Sequence, residues 1–483
     1  MRTTSRWFTF TLVAIAQFMV VLDTAITNVA LPTIKQQLHF TNSSLQWVVT
    51  AYSLTFGGFL LLGGRTADLF GRRRVLTIGM ALFTFFSLLN GISHTTTELI
   101  ALRALQGLSA AFMSPSALSI VLTTFRDDSA ARNKALAYWT LVATAGAALG
   151  LLLGGALTQY VGWRWNFFIN VPVGIIMVIL ISLFVPRHGG DEKHTSLDLS
   201  GALMATSSLM LIVLGFSEAS GWGWTSLQTI GTFLISLALL GGFIYNETKV
   251  KHPLMPLSIF KIRNVTGANA MIAPMYGVMM GIFFIITLYL QSILHFSPVL
   301  TGLSFLPMPV LLALTSSRIP GLVARYGYRR WLIIGPILIA LGLAWLSRLP
   351  VNGHYIVNLL PTFILIPIGM GMSFMPIMAS ATSGVPADRA GLASGLITTS
   401  QMMGGSVGLS ILSGIATSAT SAVAVHSTPS TALVHGFNVA IVVAIGFTAI
   451  AETLAIFVIR EKQASNADPE APAVRNLRVV TEV

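Results

Sequence analysis

Among the 28 Lys and Arg and 16 Asp and Glu residues of this chain, only Asp23, Arg103 and Glu452 fall well inside long apolar runs. A charge in the middle of a bilayer costs about 2.5 to 3.5 kcal/mol on insertion scales, so each of the three is a candidate for function. A buried carboxylate can carry a proton. Loss of water favours its neutral acid and a nearby guanidinium favours its anion, so a helix movement that alters either contact switches protonation. Counted from the ends of their runs, Asp23 is about seven and Arg103 about five residues from the same membrane face, roughly 10 Å deep at the helical rise. The two can therefore pair or share a cavity, with Asp23 as proton carrier or, alternatively, as half of a structural ion pair. Glu452, about eight residues from the opposite face, could reach the inner interface.

Other chemistries lack their parts. The chain has no cysteine, which removes disulfides and thiolate metal sites, and its nine histidines lie in loops or at the edges of apolar runs. Gly404-Gly405-Ser406-Val407-Gly408 matches a nucleophile elbow, but it lies in an apolar run with no strand before it and no intramembrane histidine as base. Helix packing is the better account. No Gly-rich phosphate loop is present, so ATP hydrolysis, cofactor binding and a metal site are not expected. The net charge of +12 would suit nucleic acid only if gathered on one face of a soluble domain, and here it is spread over short loops. Nucleic acid is not an expected partner; the lipid bilayer is.

The elements that position these residues follow from composition. The chain is 54% hydrophobic and 9% charged, against roughly 25% charged in soluble domains. Apolar runs long enough to cross a hydrocarbon core recur from end to end. They cover 8–30, 46–64, 75–93, 99–121, 135–157, 166–185, 199–216, 227–245, 265–290, 299–317, 331–347, 356–379, 391–415 and 437–459, predicting about 14 transmembrane helices. The first is no signal peptide, because it continues past Asp23 to Leu31 without a cleavage pattern. With the N-terminus inside, the outer loops hold only Lys35, Arg164 and Arg348, and every other basic residue save Arg103 falls on the inner side. Both termini are thus expected in the cytoplasm, with 460–483 as a disordered cytoplasmic tail.

The segment Gly71, Arg73, Arg74, Leu76, Ile78, Gly79 recurs 256 positions later as Gly327, Arg329, Arg330, Leu332, Ile334, Gly335. Repeated halves with a binding site between them are a transporter architecture. The offset predicts an all-α membrane protein of two six-helix halves, 8–185 and 265–459, related by pseudo-two-fold symmetry, with 199–245 as an inserted hairpin. The stretch Gly64 to Arg74 reads as a tight inner loop in which Asp68 faces four arginines, a charge latch or a plain basic loop. Gly146, Gly150, Gly154 and Gly155 form a stripe that admits a close helix neighbour, either ordinary packing or a sliding seam between the halves. Methionines at 271, 275, 279 and 280 and at 370, 372, 375 and 378 suit an adaptable pocket or plain packing.

Taken in order, these motifs resemble the Major Facilitator Superfamily, in particular its fourteen-helix drug/proton antiporter branch, and the likeness spans nearly the whole chain. Leu22-Asp23-Thr24 through Asn28-Val29-Ala30-Leu31-Pro32 is similar to that branch's first-helix signature. Gly64 to Arg74 matches the inner-loop motif, and Arg103 with Gln106-Gly107 the fourth-helix motif. Leu151 stands where the fifth-helix antiporter motif has Pro, Leu69 where the inner loop often has Arg, and Ala324 at the counterpart of Asp68. The resemblance implies a plasma-membrane exporter of amphipathic or cationic drugs, driven by protons through alternating access. It further implies proton coupling at Asp23 and Arg103, and gating at Gly64, Asp68, Gly71, Arg72 and Arg73. Asn28, Tyr52, Gln106, Met113, Tyr276, Tyr289 and Gln291 are cavity candidates. A symporter or facilitator of one metabolite is the alternative, and a membrane-embedded enzyme would need a base, metal cluster or soluble catalytic domain that the chain does not supply.

Overall fold

The computed structural model describes residues 5–186, 198–250, 253–385 and 390–457; the tail 460–483 lies outside them. Among the described residues, fourteen helices are long and apolar enough to span a membrane. The first six are α1 (Arg6–Leu38), α2 (Ser43–Phe70), α3 (Arg72–Ile92), α4 (Thr96–Thr124), α5 (Ala130–Tyr160) and α6 (Trp165–Phe184). A hairpin of α7 (Leu199–Trp222) and α8 (Leu227–Lys249) follows. The last six are α9 (Arg263–Ile293), α10 (Pro298–Val323), α11 (Arg329–Leu346), α12 (Tyr355–Thr382), α13 (Leu392–Val423) and α14 (Pro429–Phe457).

Polar residues start these helices where backbone N–H groups lack partners. Thr95 and Glu98 form a reciprocal capping box at α4, and Asp198, Ser226 and Ser297 cap α7, α8 and α10. The helices outrun the apolar stretches. Helix α1 continues through Pro32 and Lys35 to Leu38, because hydrogen bonding persists after the chain leaves lipid. Asp23 therefore sits near the middle of a 33-residue helix rather than close to its outer end.

The internal repeat reappears as packing. In the first half α1 lies on α5, α2 on α4 and α3 on α4 and α6; in the second, α9 lies on α13, α10 on α12 and α11 on α12 and α14. Gly71 (φ 90°) and Gly327 (φ 78°) make the same left-handed turn at equivalent places, a conformation that favours glycine. The expected loop 64–74 is accordingly a correction: α2 runs helically to Phe70, Gly71 makes the turn, and α3 begins at Arg72.

Two seams join the halves, α2 against α13 and α5 against α10. At the first, a Cβ on Gly57 would lie 2.6 Å from Met402, and Leu61 lies against Gly395. Hairpin helix α7 wedges onto this seam, with Ser217 donating to the Ser43 carbonyl at 2.9 Å and Ser410 donating to the Val213 carbonyl at 3.0 Å. The second seam is close at the end away from the arginine-rich turns, called the far end below. There Gly155 faces Pro298, Gly302 faces the Leu151 carbonyl, and Val299 N–H donates to Gln159 at 3.2 Å.

Candidate functional site

Asp23 on α1 and Arg103 on α4 meet in the first half as a fully buried ion pair, Nη1 to Oδ2 2.6 Å, with side chains 0% and 1% exposed. The other carboxylate oxygen, Oδ1, accepts from Gln106 Nε2 and Asn170 Nδ2, each at 2.9 Å. Three convergent donors are the complement of an ionised carboxylate, and they offset the cost of removing it from water. Arg103 is held as completely. Its Nη1 also donates to Gln106 Oε1 at 2.7 Å, its Nε donates to the Val48 carbonyl at 3.0 Å, and its guanidinium lies 4.3 Å from the Tyr52 ring centroid. Ser87 and Asn90 of α3 complete the network, Ser87 accepting from Asn170 and Gln106, and Asn90 donating to Gln106 Oε1 at 2.9 Å. Helices α1, α2, α3, α4 and α6 are tied at one point.

The neighbouring glycine is needed for this approach. A Cβ on Gly107 would lie 2.2 Å from the Tyr52 carbonyl and 2.4 Å from Thr55 Oγ1, while Thr55 itself donates to the Ala104 carbonyl at 2.7 Å. Helices α2 and α4 thus touch backbone to backbone beside the ion pair.

The remaining candidates fall in several places. Asn28 donates to the Thr24 carbonyl on its own helix at 2.9 Å. Met113 is buried against Gly79 between α3 and α4. Tyr276 is half-buried beside Gly405. Tyr289 donates to the Pro350 carbonyl at 2.6 Å within the second half, whereas Gln291 crosses between the halves to the Val29 carbonyl at 2.9 Å and helps close the far end. Among the described residues Asp68, largely exposed, pairs with Arg72 at 3.0 Å; Arg73 donates to the Ser182 carbonyl and Arg65 to the Pro253 carbonyl at 2.9 Å. Around the acid of this motif the described contacts thus include one ion pair and two arginine bonds to backbone carbonyls of other segments. Gly146, Gly150 and Gly154 pack on Phe18, Leu22, Ala25 and Ile26 of α1 within the first half, and only Gly155 meets the other half. Gly404 and Gly408 pack on Ala273 and Gly277, as helix packing requires. Glu452 is half-buried on α14, with Oε2 lacking a hydrogen bond.

The profile of the Major Facilitator Superfamily matches residues 13–409. The chain belongs to this superfamily. Among its relatives, a puromycin resistance protein of Streptomyces alboniger is 38% identical over 97% of this chain and 94% of its own length. A cephamycin export protein of Amycolatopsis lactamdurans is 36% identical over 84% of each chain, and a tetracenomycin C resistance and export protein of Streptomyces glaucescens is 32% identical over 84% of this chain and 75% of its own. A crystallised peptide transporter matches the fold with TM-score 0.68 at 14% identity, covering 94% of each chain. A bacterial Spinster homologue does so with TM-score 0.66 at 14% identity, over 94% of this chain and 96% of its own. Superfamily membership makes the chain a multi-pass membrane transporter.

Sequence reasoning missed Asn170, Ser87 and Asn90. Their signal was present: Asn170 lies inside an apolar run and Asn90 near the end of another, where an amide must find a partner. A search limited to charged residues passes over them.

Proposed function

We propose that this superfamily transporter exports amphipathic, antibiotic-like molecules, including cationic ones, across the plasma membrane in exchange for protons. The halves 8–185 and 265–459 rock about a central cavity, both termini lie in the cytoplasm, as the Lys and Arg distribution favours, and no covalent chemistry is involved. The observation that carries the reading is the sealed Asp23 site. The carboxylate is closed off from solvent and its donors stand on α4 and α6, so a proton's access to it and the balance of its charge depend on how those helices sit against α1 in the first half. The closed far end suits the cytoplasm-facing member of the alternating pair. Export is supported by the antibiotic resistance and export relatives. Each inward proton supplies about 2.3 kcal/mol per 100 mV of membrane potential.

The test is flux in oriented proteoliposomes, using puromycin and a panel of cationic and neutral amphiphiles. Export predicts accumulation of substrate in the compartment from which protons flow. Accumulation in the opposite sense would make the chain a symporter, and movement that ignores an imposed gradient would make it a facilitator.

A further inference from the structure

A pair of buried carboxyls stands apart from the Asp23–Arg103 ion pair, where the α7–α8 hairpin begins and ends. Asp198 caps α7 and is 3% exposed; its Oδ1 accepts from Gly201 N–H, Ser200 Oγ and Asn246 Nδ2, each at 2.9 Å. Glu247, in the last turn of α8, is 4% exposed. Its Oε2 accepts from the Met255 N–H at 3.0 Å, whereas its Oε1 is buried without a hydrogen-bond partner. The two carboxyls face one another over Gly201, where a Cβ would lie 2.4 Å from Asp198 Oδ2 and 3.1 Å from Glu247 Oε1.

We propose that Asp198 and Glu247 together bind one proton, and that this proton keeps the segment 253–262 fastened to the hairpin. Two adjacent carboxylates cannot both be ionised out of water without strong repulsion, and a single hydroxyl on Glu247 Oε1 pointing at Asp198 Oδ2, which also accepts from Asn246 Nδ2 at 3.0 Å, gives the unpartnered Glu247 oxygen its hydrogen bond. Burial pushes the Asp198 carboxyl up, but the hydrogen bonds from Gly201, Asn246 and Ser200 outweigh it and hold the group below its ordinary range, which leaves the proton on Glu247. On the elements packed around the pair, the charged groups among the described residues are Lys249, whose Nζ lies over the Tyr245 ring, Arg65 of α2, which donates to the Pro253 carbonyl, Asp68 of α2, paired with Arg72, Glu218 of α7 and Lys261 of the segment itself. Lys251 and His252 lie outside the described residues.

The fastened segment crosses the seam between the halves. Met255, Ile259, Phe260 and Ile262 pack with Leu61 of α2 and with Ala393 and Leu396 of α13. Glu247 grips it from the hairpin and Arg65 from α2. Loss of the shared proton sets like charges against each other where Glu247 grips the strap; the repulsion drives the Glu247 carboxylate away from Asp198 and out of line with the Met255 N–H, against the stronger hydrogen bond an ionised acceptor makes, so the strap loosens as pH rises and tightens as pH falls.

The test uses the full-length protein in lipid nanodiscs and reads no transport, so it stands apart from the export reading. Hydrogen exchange of the peptide covering 253–262, corrected for the intrinsic pH dependence of exchange, is followed between about pH 6 and about pH 9. Protection in the native protein is expected to fall roughly tenfold or more across that range, the factor a single titrating proton gives per pH unit. Glu247→Gln is expected to hold protection constant and to remove one protonated-carboxyl band from the infrared spectrum. Asp198→Asn, which retains a capping oxygen, is expected to abolish the pH dependence as well. Flat protection in the native protein, an unchanged infrared band in Glu247→Gln, or replacement of the proton by added sodium or potassium at fixed pH would each overturn the proposal.

Discussion

Replacing Asp23 by Asn changes one atom type at the centre of five helices, and its effect can be worked through bond by bond. Three donors converge on the carboxylate, Arg103 at 2.6 Å and Gln106 and Asn170 at 2.9 Å. An amide offers a single acceptor. If its oxygen stays with Arg103, its NH2 group meets Asn170 and Gln106. Asn170 can turn, because its Oδ1 has no partner. Gln106 cannot, because its Oε1 already accepts from Arg103 and Asn90. One donor is left facing a donor, and the guanidinium loses its counter-charge while keeping Gln106 Oε1, the Val48 carbonyl and the Tyr52 face. Breaking a buried pair costs about 3 to 5 kcal/mol, and the contacts Arg103 retains place the expected loss near the lower bound. The amide also mimics the protonated acid in charge but cannot release a proton. Concentrative transport should therefore vanish, with the accumulation ratio falling to one, while exchange of labelled for unlabelled substrate across the bilayer persists. Purified Asp23→Asn in proteoliposomes, assayed with and without a pH gradient and alongside thermal unfolding, measures all three quantities. A variant that still concentrates substrate, at any stability, removes Asp23 from proton coupling.

Three further outcomes are expected. Because the native chain lacks cysteine, Gly221→Cys at the far end and Ser258→Cys near the arginine-rich turns should label from opposite sides with an impermeant thiol reagent; labelling of both from outside whole cells would contradict the proposed topology. Asp68→Asn removes an exposed pair worth under about 1 kcal/mol, so expression and thermal stability should hold while turnover falls; unchanged transport kinetics would reduce the motif to setting topology. Leu151→Pro should destabilise the protein by about 3 kcal/mol, since α5 runs unbroken through this position and packs its carbonyl against Gly302; an unshifted melting temperature in detergent would show that neighbouring helices absorb the break.

Lipid as solvent is what made so much legible without coordinates. A span must be apolar for its whole length, and loops must carry the polar residues, so the fourteen helices, their order and the repeated halves followed from composition and spacing. Asp23 and Arg103 were equally visible, because a charge in such a run stands out against everything around it. Helix ends were less visible: the α1 apolar run stops where lipid stops, whereas hydrogen bonding carries the helix on to Leu38. Only tertiary structure decided which faces meet. It directed three glycines of the α5 stripe onto α1 and only Gly155 onto the other half. It split the arginines near Asp68 among separate partners, and it brought Asn170, Ser87 and Asn90 to the ion pair from helices distant in sequence. Periodicity records that a residue is apolar or polar, but the rotation of one helix against another is set by backbone approach and side-chain shape across the contact, and those belong to two segments at once.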